Sequence, residues 1–144
     1  KWQFSLGAVV ALLHDVLFVM GVFSLADGFL PFQLEVDQAF IAAILTVIGY
    51  SLNDTVVVFD RIRENMGSRG KQNGVSINKS LNQTLSRTFN TSLTTFFVLL
   101  VIFLFGGEVI RGFMFALLLG VLVGTYSSLF IATPVMFDAS DKES

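Results

Sequence analysis

Cysteine is absent from the 144 residues, which excludes a disulfide framework, a thiolate nucleophile and a cysteine-ligated metal site and leaves the redox compartment open. Histidine occurs once, at His14, and the carboxylates are scattered, so no spacing of metal ligands is present. Nothing suggests a cofactor-binding pattern. Charge is scarce too: 14% of residues are charged, against roughly 25% in an ordinary soluble domain. The net charge of −2 gives no support to nucleic-acid binding, because the basic residues flank apolar segments and build no polyanion-binding face. No methionine precedes Lys1, and the first apolar run lacks a signal-peptidase site, so the chain reads as a piece of a longer protein.

What is present is hydrocarbon. Hydrophobic residues fill 53% of the positions, and six of the nine basic residues (Arg61, Arg63, Arg69, Lys71, Lys79, Arg87) are confined to the stretch from Asp60 to Arg87. A bilayer core of about 30 Å needs about 20 apolar residues of helix. Four windows meet that need, at about 6–25, 39–59, 88–107 and 112–133, and the last ends near Pro134, which is expected to stop the helix at the interface. The expected fold class is therefore all-α, a polytopic membrane bundle of four transmembrane helices forming one unit over 1–144. Basic residues in short loops favour the cytoplasmic side, which places the loop at about 60–87 inside. Both chain ends are then also inside, and Ala26 to Gln38 and the tight Gly106 to Arg111 turn lie outside. Within the inner loop, Gly67 to Gly74 reads as a turn. Ser76 is a candidate cap for a helix in which Ile77, Leu81 and Leu85 recur every fourth residue. That helix either lies along the membrane surface before entering the third span or packs on its neighbours.

The fourth span carries small residues at every fourth position: Gly112, Ala116, Gly120, Gly124, Ser128 and Ala132. Such a face lets backbones approach closely, which matters in lipid because apolarity alone does not bring helices together. It reads as helix packing, with a sliding surface as the functional alternative. The 16 Phe are read as lipid-facing or packing residues.

An ionisable residue at membrane depth costs roughly 2.5–3.5 kcal/mol at a helix centre on insertion scales, so each is a functional candidate. Asp54 lies six residues before Asp60, about 9 Å inside the cytoplasmic end of its span at 1.5 Å per residue. Arg87, where the third span begins, enters from the same side, and the two are candidates to meet at one depth. A nearby cation favours an ionised carboxylate and a dry setting favours a neutral one, so a carboxylate that changes its surroundings can take up and release a proton. A static ion pair, or Arg87 snorkelling at the interface, is the plainer alternative. His14 and Asp15 are adjacent and point about 100° apart on a helix. For Asp15, a proton relay and hydrogen bonding to the Thr91, Ser92, Thr94 and Thr95 cluster stand side by side. An intramembrane aspartyl hydrolase would need Asp15 and Asp54 to converge, and neither has a catalytic setting, so no enzymatic activity is expected.

The run from Thr46 to Asn65 (TVIGYSLNDTVVVFDRIREN) resembles a signature of SecF in the SecD/SecF protein-export family. The later run Leu85 to Thr95 (LSRTFNTSLTT) and the Leu13 to Val16 run (LHDV) are similar to further segments of that family, in the same order along nearly the whole chain. The resemblance implies the last four of six membrane helices, in the fold of the RND superfamily, with SecD supplying a pseudo-symmetric six-helix half. It implies a subunit in the bacterial inner membrane that works with SecD and the SecYEG translocon. The proton-motive force would drive it to help move an exported polypeptide, with membrane lipid and protons as its other partners. Asp54 and Arg87 match family residues implicated in proton transport; Asn53, Asp15 and His14 complete the expected proton pathway. Another RND-type exporter of lipid or small molecules, or a structural membrane subunit without an ion pathway, remain the competing functions.

Overall fold

A computed structural model describes residues 2–66 and 73–141. Its described residues form four helices long and apolar enough to cross a membrane. They are α1 (Trp2–Ala26), α2 (Gln38–Met66), α3 (Gly74–Phe105) and a fourth made of α4 (Glu108–Ser127), a π turn (Ser128–Ala132) and α5 (Thr133–Asp141). No strand is present among the described residues, so the chain is an all-α membrane helix bundle.

The helices are longer than the apolar windows. At 1.5 Å per residue, the 29 residues of α2 and 32 of α3 span about 43 and 48 Å, against a hydrocarbon core of about 30 Å. The expected loop at 60–87 is thus mostly helix: α2 runs on to Met66 and α3 already begins at Gly74. Helix propensity and tertiary partners extend both where hydropathy gives no sign. Arg61 donates to Gln83 at 2.8 Å and to Glu64 at 2.6 Å, and Asn65 donates to Ser80 and Gln83 at 2.8 and 2.9 Å. The helix around Ile77 therefore packs on its neighbour, with Ile77 and Ser80 buried, and continues without a break into the third span. Its cap is Asn73, whose extended backbone lets the side chain accept from Ser76 N–H at 2.7 Å; Ser76 is the third helical residue and not the cap. Of the expected turn, residues 67–72 lie outside the described residues. Asp37 caps α2 in the same way, accepting from Phe40 N–H at 2.9 Å.

Pro134 does not end its helix. Proline removes one helical donor and its ring clashes with the carbonyl four residues back, but the wider π turn immediately before it shifts the bonding pattern by one residue. The Thr133 hydroxyl donates to the Ser128 carbonyl at 3.2 Å, so the helix continues to Asp141.

Packing follows stripes of every fourth residue. On α1 the buried positions are Gln3, Gly7, Ala11, Asp15, Val19 and Phe23, while Leu6, Val9, Leu13, Leu17 and Met20 remain exposed. Within the fourth helix, the α4 segment packs most extensively on α2, and the π turn and α5 pack most extensively on α1. Gly120 lies on Val47, Gly124 on Ser51 and Ser128 on Thr55, each pair separated by 73 residues, which is the signature of two parallel helices in register. A Cβ at Gly120 would fall onto the Val47 side chain, and one at Gly7 onto the Ala132 carbonyl, so both positions need the missing side chain. Ala116 and Ala132 are fully buried, and Gly112 lies on the Gln33 carbonyl. Two apolar clusters result, one around Val19, Phe23, Phe40 and Val47, the other around Ile62, Val58 and Met136.

Candidate functional site

Between the two clusters the bundle interior is polar. Asp54, on α2, retains 5% exposure, and its Oδ2 is buried with no hydrogen-bond partner. Such an orphaned acceptor is costly inside a low-dielectric interior, where a polar atom normally finds a donor. The Arg87 charge acts on Asp54 through space. The two form no ion pair: the described salt bridges join His14 to Asp15 and Arg61 to Glu64. Arg87 stands fourteen residues into α3, because that helix begins well before the apolar window, and is exposed. It lines a cleft of about 360 Å³ with Asp60, Arg61, Glu64, Gln83 and Thr84. The antiparallel register set by Tyr50 with Ser92 and Arg61 with Gln83 places Arg87 within about one turn of Asp54, on its Asp60 side.

Asn53 is exposed and belongs to a different face from its buried neighbour Asp54. On that outer face of α2 lie Thr46, Gly49, Asn53 and Asp60, and on the adjoining face of α3 lie Arg87, Asn90, Thr91 and Thr94, all exposed. Thr46 and Thr94 donate back to the carbonyls four residues earlier. The Asn53 and Asn90 side chains make no hydrogen bond within the described residues.

Asp15 is fully buried and its Oδ2 accepts two hydroxyls from two other helices, Ser51 on α2 at 2.5 Å and Ser127 on α4 at 2.9 Å. The expected bonding of Asp15 to the Thr91 to Thr95 cluster is not found, because that cluster sits on α3 and its hydroxyls go elsewhere. Thr95 donates to the Thr91 carbonyl, and Ser92 accepts from the Tyr50 hydroxyl at 3.0 Å and pairs with Thr125 at 2.5 Å. His14 is 37% exposed, its Nδ1 3.3 Å from Asp15 Oδ1, and its ring stacks on Phe18 and leans on Tyr126. Around these groups, Ser128 pairs with Thr55 at 3.1 Å and donates to the Gly124 carbonyl at 2.8 Å.

Sequence reasoning passed over Ser51, Thr55 and Ser127. A signal existed for the first two, since Val47, Ser51 and Thr55 repeat every fourth residue opposite the small face of the fourth helix. Ser128, read as a packing residue, both packs and hydrogen-bonds. No group of three or more metal-binding side chains occurs among the described residues.

A family model described as "Protein export membrane protein SecD/SecF, C-terminal" matches residues 1–142. The chain is 60% identical over 139 residues to the protein translocase subunit SecF of Rhodothermus marinus, covering 96% of this chain and 45% of that protein. With the SecF of Vibrio alginolyticus it shares 52% over 134 residues, covering 92% of this chain and 41% of that protein. The crystal structure of SecDF in its super-membrane-facing form superposes with a TM-score of 0.89 at 41% identity, covering 99% of this chain and 19% of that one. The chain thus spans less than half the length of these curated relatives. A match over nearly all its residues, the shared helix bundle and identities of this size mean that the chain belongs to the SecD/SecF protein-export family, as its C-terminal membrane portion.

Proposed function

We propose that this chain is the proton-coupling part of a SecF subunit that assists protein translocation across the bacterial inner membrane. It works together with a SecD half and the SecYEG translocon on an exported polypeptide, and it carries out no enzymatic reaction. The observation that carries the reading is the Asp54 carboxylate, buried in a membrane-spanning helix with an unpartnered oxygen and with Arg87 near enough to act on it. A permanently ionised or permanently neutral structural carboxylate would be expected to have its partners in place. A carboxylate that exchanges a proton must lack them in one state. Arg87 lines an open cleft with five other polar or charged residues, which supports water access from the side assigned to the cytoplasm.

The exposed polar face of α2 and α3 supports the SecD partner. Asn53, Arg87 and Asn90 would be costly against lipid tails, and a covering protein surface gives them hydrogen-bonding partners. The relatives' printed names, protein translocase subunit SecF and SecDF, support the role in translocation.

The test is Asp54→Asn in the full-length protein assembled with its partners in vesicles. This change keeps size and much of the hydrogen bonding but removes titration. The complex is expected to assemble while gradient-driven export and proton flux are lost; normal flux would remove Asp54 from the pathway.

A further inference from the structure

Asp15 is the only carboxylate with no exposed surface among the described residues, and the proton-coupling reading makes no use of it. Three helices converge on one of its oxygens. Ser51 and Ser127 both donate to Oδ2, at 2.5 and 2.9 Å, while Oδ1 meets only the His14 ring at 3.3 Å. Serines in membrane helices can satisfy themselves by bonding back to their own helix, as Ser128 does on Gly124 at 2.8 Å. Ser127 also has the Gly124 carbonyl of its own helix within reach at 3.2 Å, but its shorter contact, and the one side-chain bond of Ser51, go across the helix boundaries to the carboxylate. The titratable groups around it are His14 on α1 and Tyr126 on α4, which leans on His14; Asp54 lies three residues beyond Ser51 on α2, and no lysine or arginine pairs with Asp15 among the described residues.

Ser51 stands three residues before Asp54 on α2, and Ser127 immediately precedes the π turn. A tie at this point fixes how far α2 is rotated against α1 and α4, and rotation of α2 decides what Asp54 faces. We infer that Asp15 is a positioning residue for proton coupling: its carboxylate gathers Ser51 and Ser127 and so holds Asp54 in its place in the bundle, without carrying the transported proton itself. The functional half of this inference rests on Asp54 as the carrier.

The test compares Asp15→Asn, Asp15→Ala, the pair Ser51→Ala with Ser127→Ala, and the triple Ala variant, all in the full-length protein assembled with its partner half. Melting profile, gradient-driven proton flux and the pH of half-maximal flux are measured. Asparagine keeps an oxygen that accepts both hydroxyls, so Asp15→Asn is expected to keep flux within a few-fold of the parent and its pH profile unchanged. Asp15→Ala and the serine pair are each expected to lower the melting profile, cut flux about ten- to a hundredfold, as small misplacements of a reacting group do, and displace the pH profile. The triple variant should be no worse than the worse of these two, because all three residues act through one contact.

Loss of flux in Asp15→Asn as complete as in Asp15→Ala would overturn the inference, since the proton itself would then be at stake. Normal flux in both Asp15→Ala and the serine pair would overturn it as well. Additive effects in the triple variant would show that no shared contact exists. Should Asp54→Asn retain flux, the carrier reading alone fails, because the melting profiles test the tie without Asp54.

Discussion

At the scale of single residues, the polar interior separates two carboxylates that their positions in the sequence do not distinguish. Asp15 and Asp54 are both aspartates within apolar spans, yet one holds two serine hydroxyls and the other has an oxygen without a donor. A satisfied carboxylate ties helices together; an unsatisfied one is available for a change of state. Arg87 stands beside the second without closing on it. Its guanidinium is a planar fork suited to two-point contact with a carboxylate, whereas lysine offers a compact point charge. If the cycle includes a closed Asp54–Arg87 pair, Arg87→Lys keeps the charge but loses that geometry. We expect an assembled complex whose gradient-driven flux falls by about tenfold or more, the cost of one good charged contact; full flux in the lysine variant would rule out the two-point contact.

At the scale of elements, the bundle depends on which helix face carries a side chain and which does not. The fourth helix lays its small residues on Val47, Ser51 and Thr55, and there a leucine has no room. Gly120→Leu would drive its side chain into Val47 and is expected to destabilise the helix pair by about 1–3 kcal/mol or more, the usual cost of overpacking. Gly49 offers the contrast, since nothing lies within 4 Å of a Cβ built there. It sits on the exposed polar face, so Gly49→Leu is expected to leave the melting profile of the isolated subunit unchanged and to weaken its association with the SecD half. The pair is checked by melting in detergent and by co-purification; equal behaviour of the two variants would mean that the two faces do not have separate roles. The π turn belongs to this scale too, because it lets a helix accept Pro134 and still run to Asp141.

For the whole molecule, orientation follows from where the basic residues fall. The antiparallel extensions of α2 and α3 carry Arg61, Arg63, Lys79 and Arg87, while the segment between α1 and α2 carries Asp27, Glu35 and Asp37 and no basic residue. The positive-inside bias predicts that the extensions and both ends of the chain face the cytoplasm. Since the chain has no cysteine, single cysteines at the exposed positions Val36 and Val75 are unique labelling sites. A membrane-impermeant thiol reagent is expected to reach Val36→Cys from outside and Val75→Cys only after permeabilisation; the reverse pattern would invert the topology. The exposed polar patch of Asn53, Arg87 and Asn90 then lies at the inner end of the spans on α2 and α3, where a second half would cover it.

The amino-acid sequence alone determined that this is a membrane bundle of four helices, because twenty apolar residues in a row have no other economical way to satisfy their backbone in lipid. It also carried the family likeness and the small-residue face of the fourth helix, whose period is that of the helix itself. Helix ends were not legible: polar residues such as Asn65, Ser80 and Gln83 extend α2 and α3 only because each finds a partner on the other helix. Nor could hydropathy reveal that Pro134 lies within a helix, since the π turn that tolerates it is a property of the backbone. At the site, the sequence placed Asp54 and Arg87 near one depth but could not say that they stay apart. It named Asp15 without its serines. Which hydroxyl meets which carboxylate depends on the rotation of one helix against another, and packing across the bundle sets that rotation: Gly120 on Val47, Gly124 on Ser51 and Gly7 under the Ala132 carbonyl.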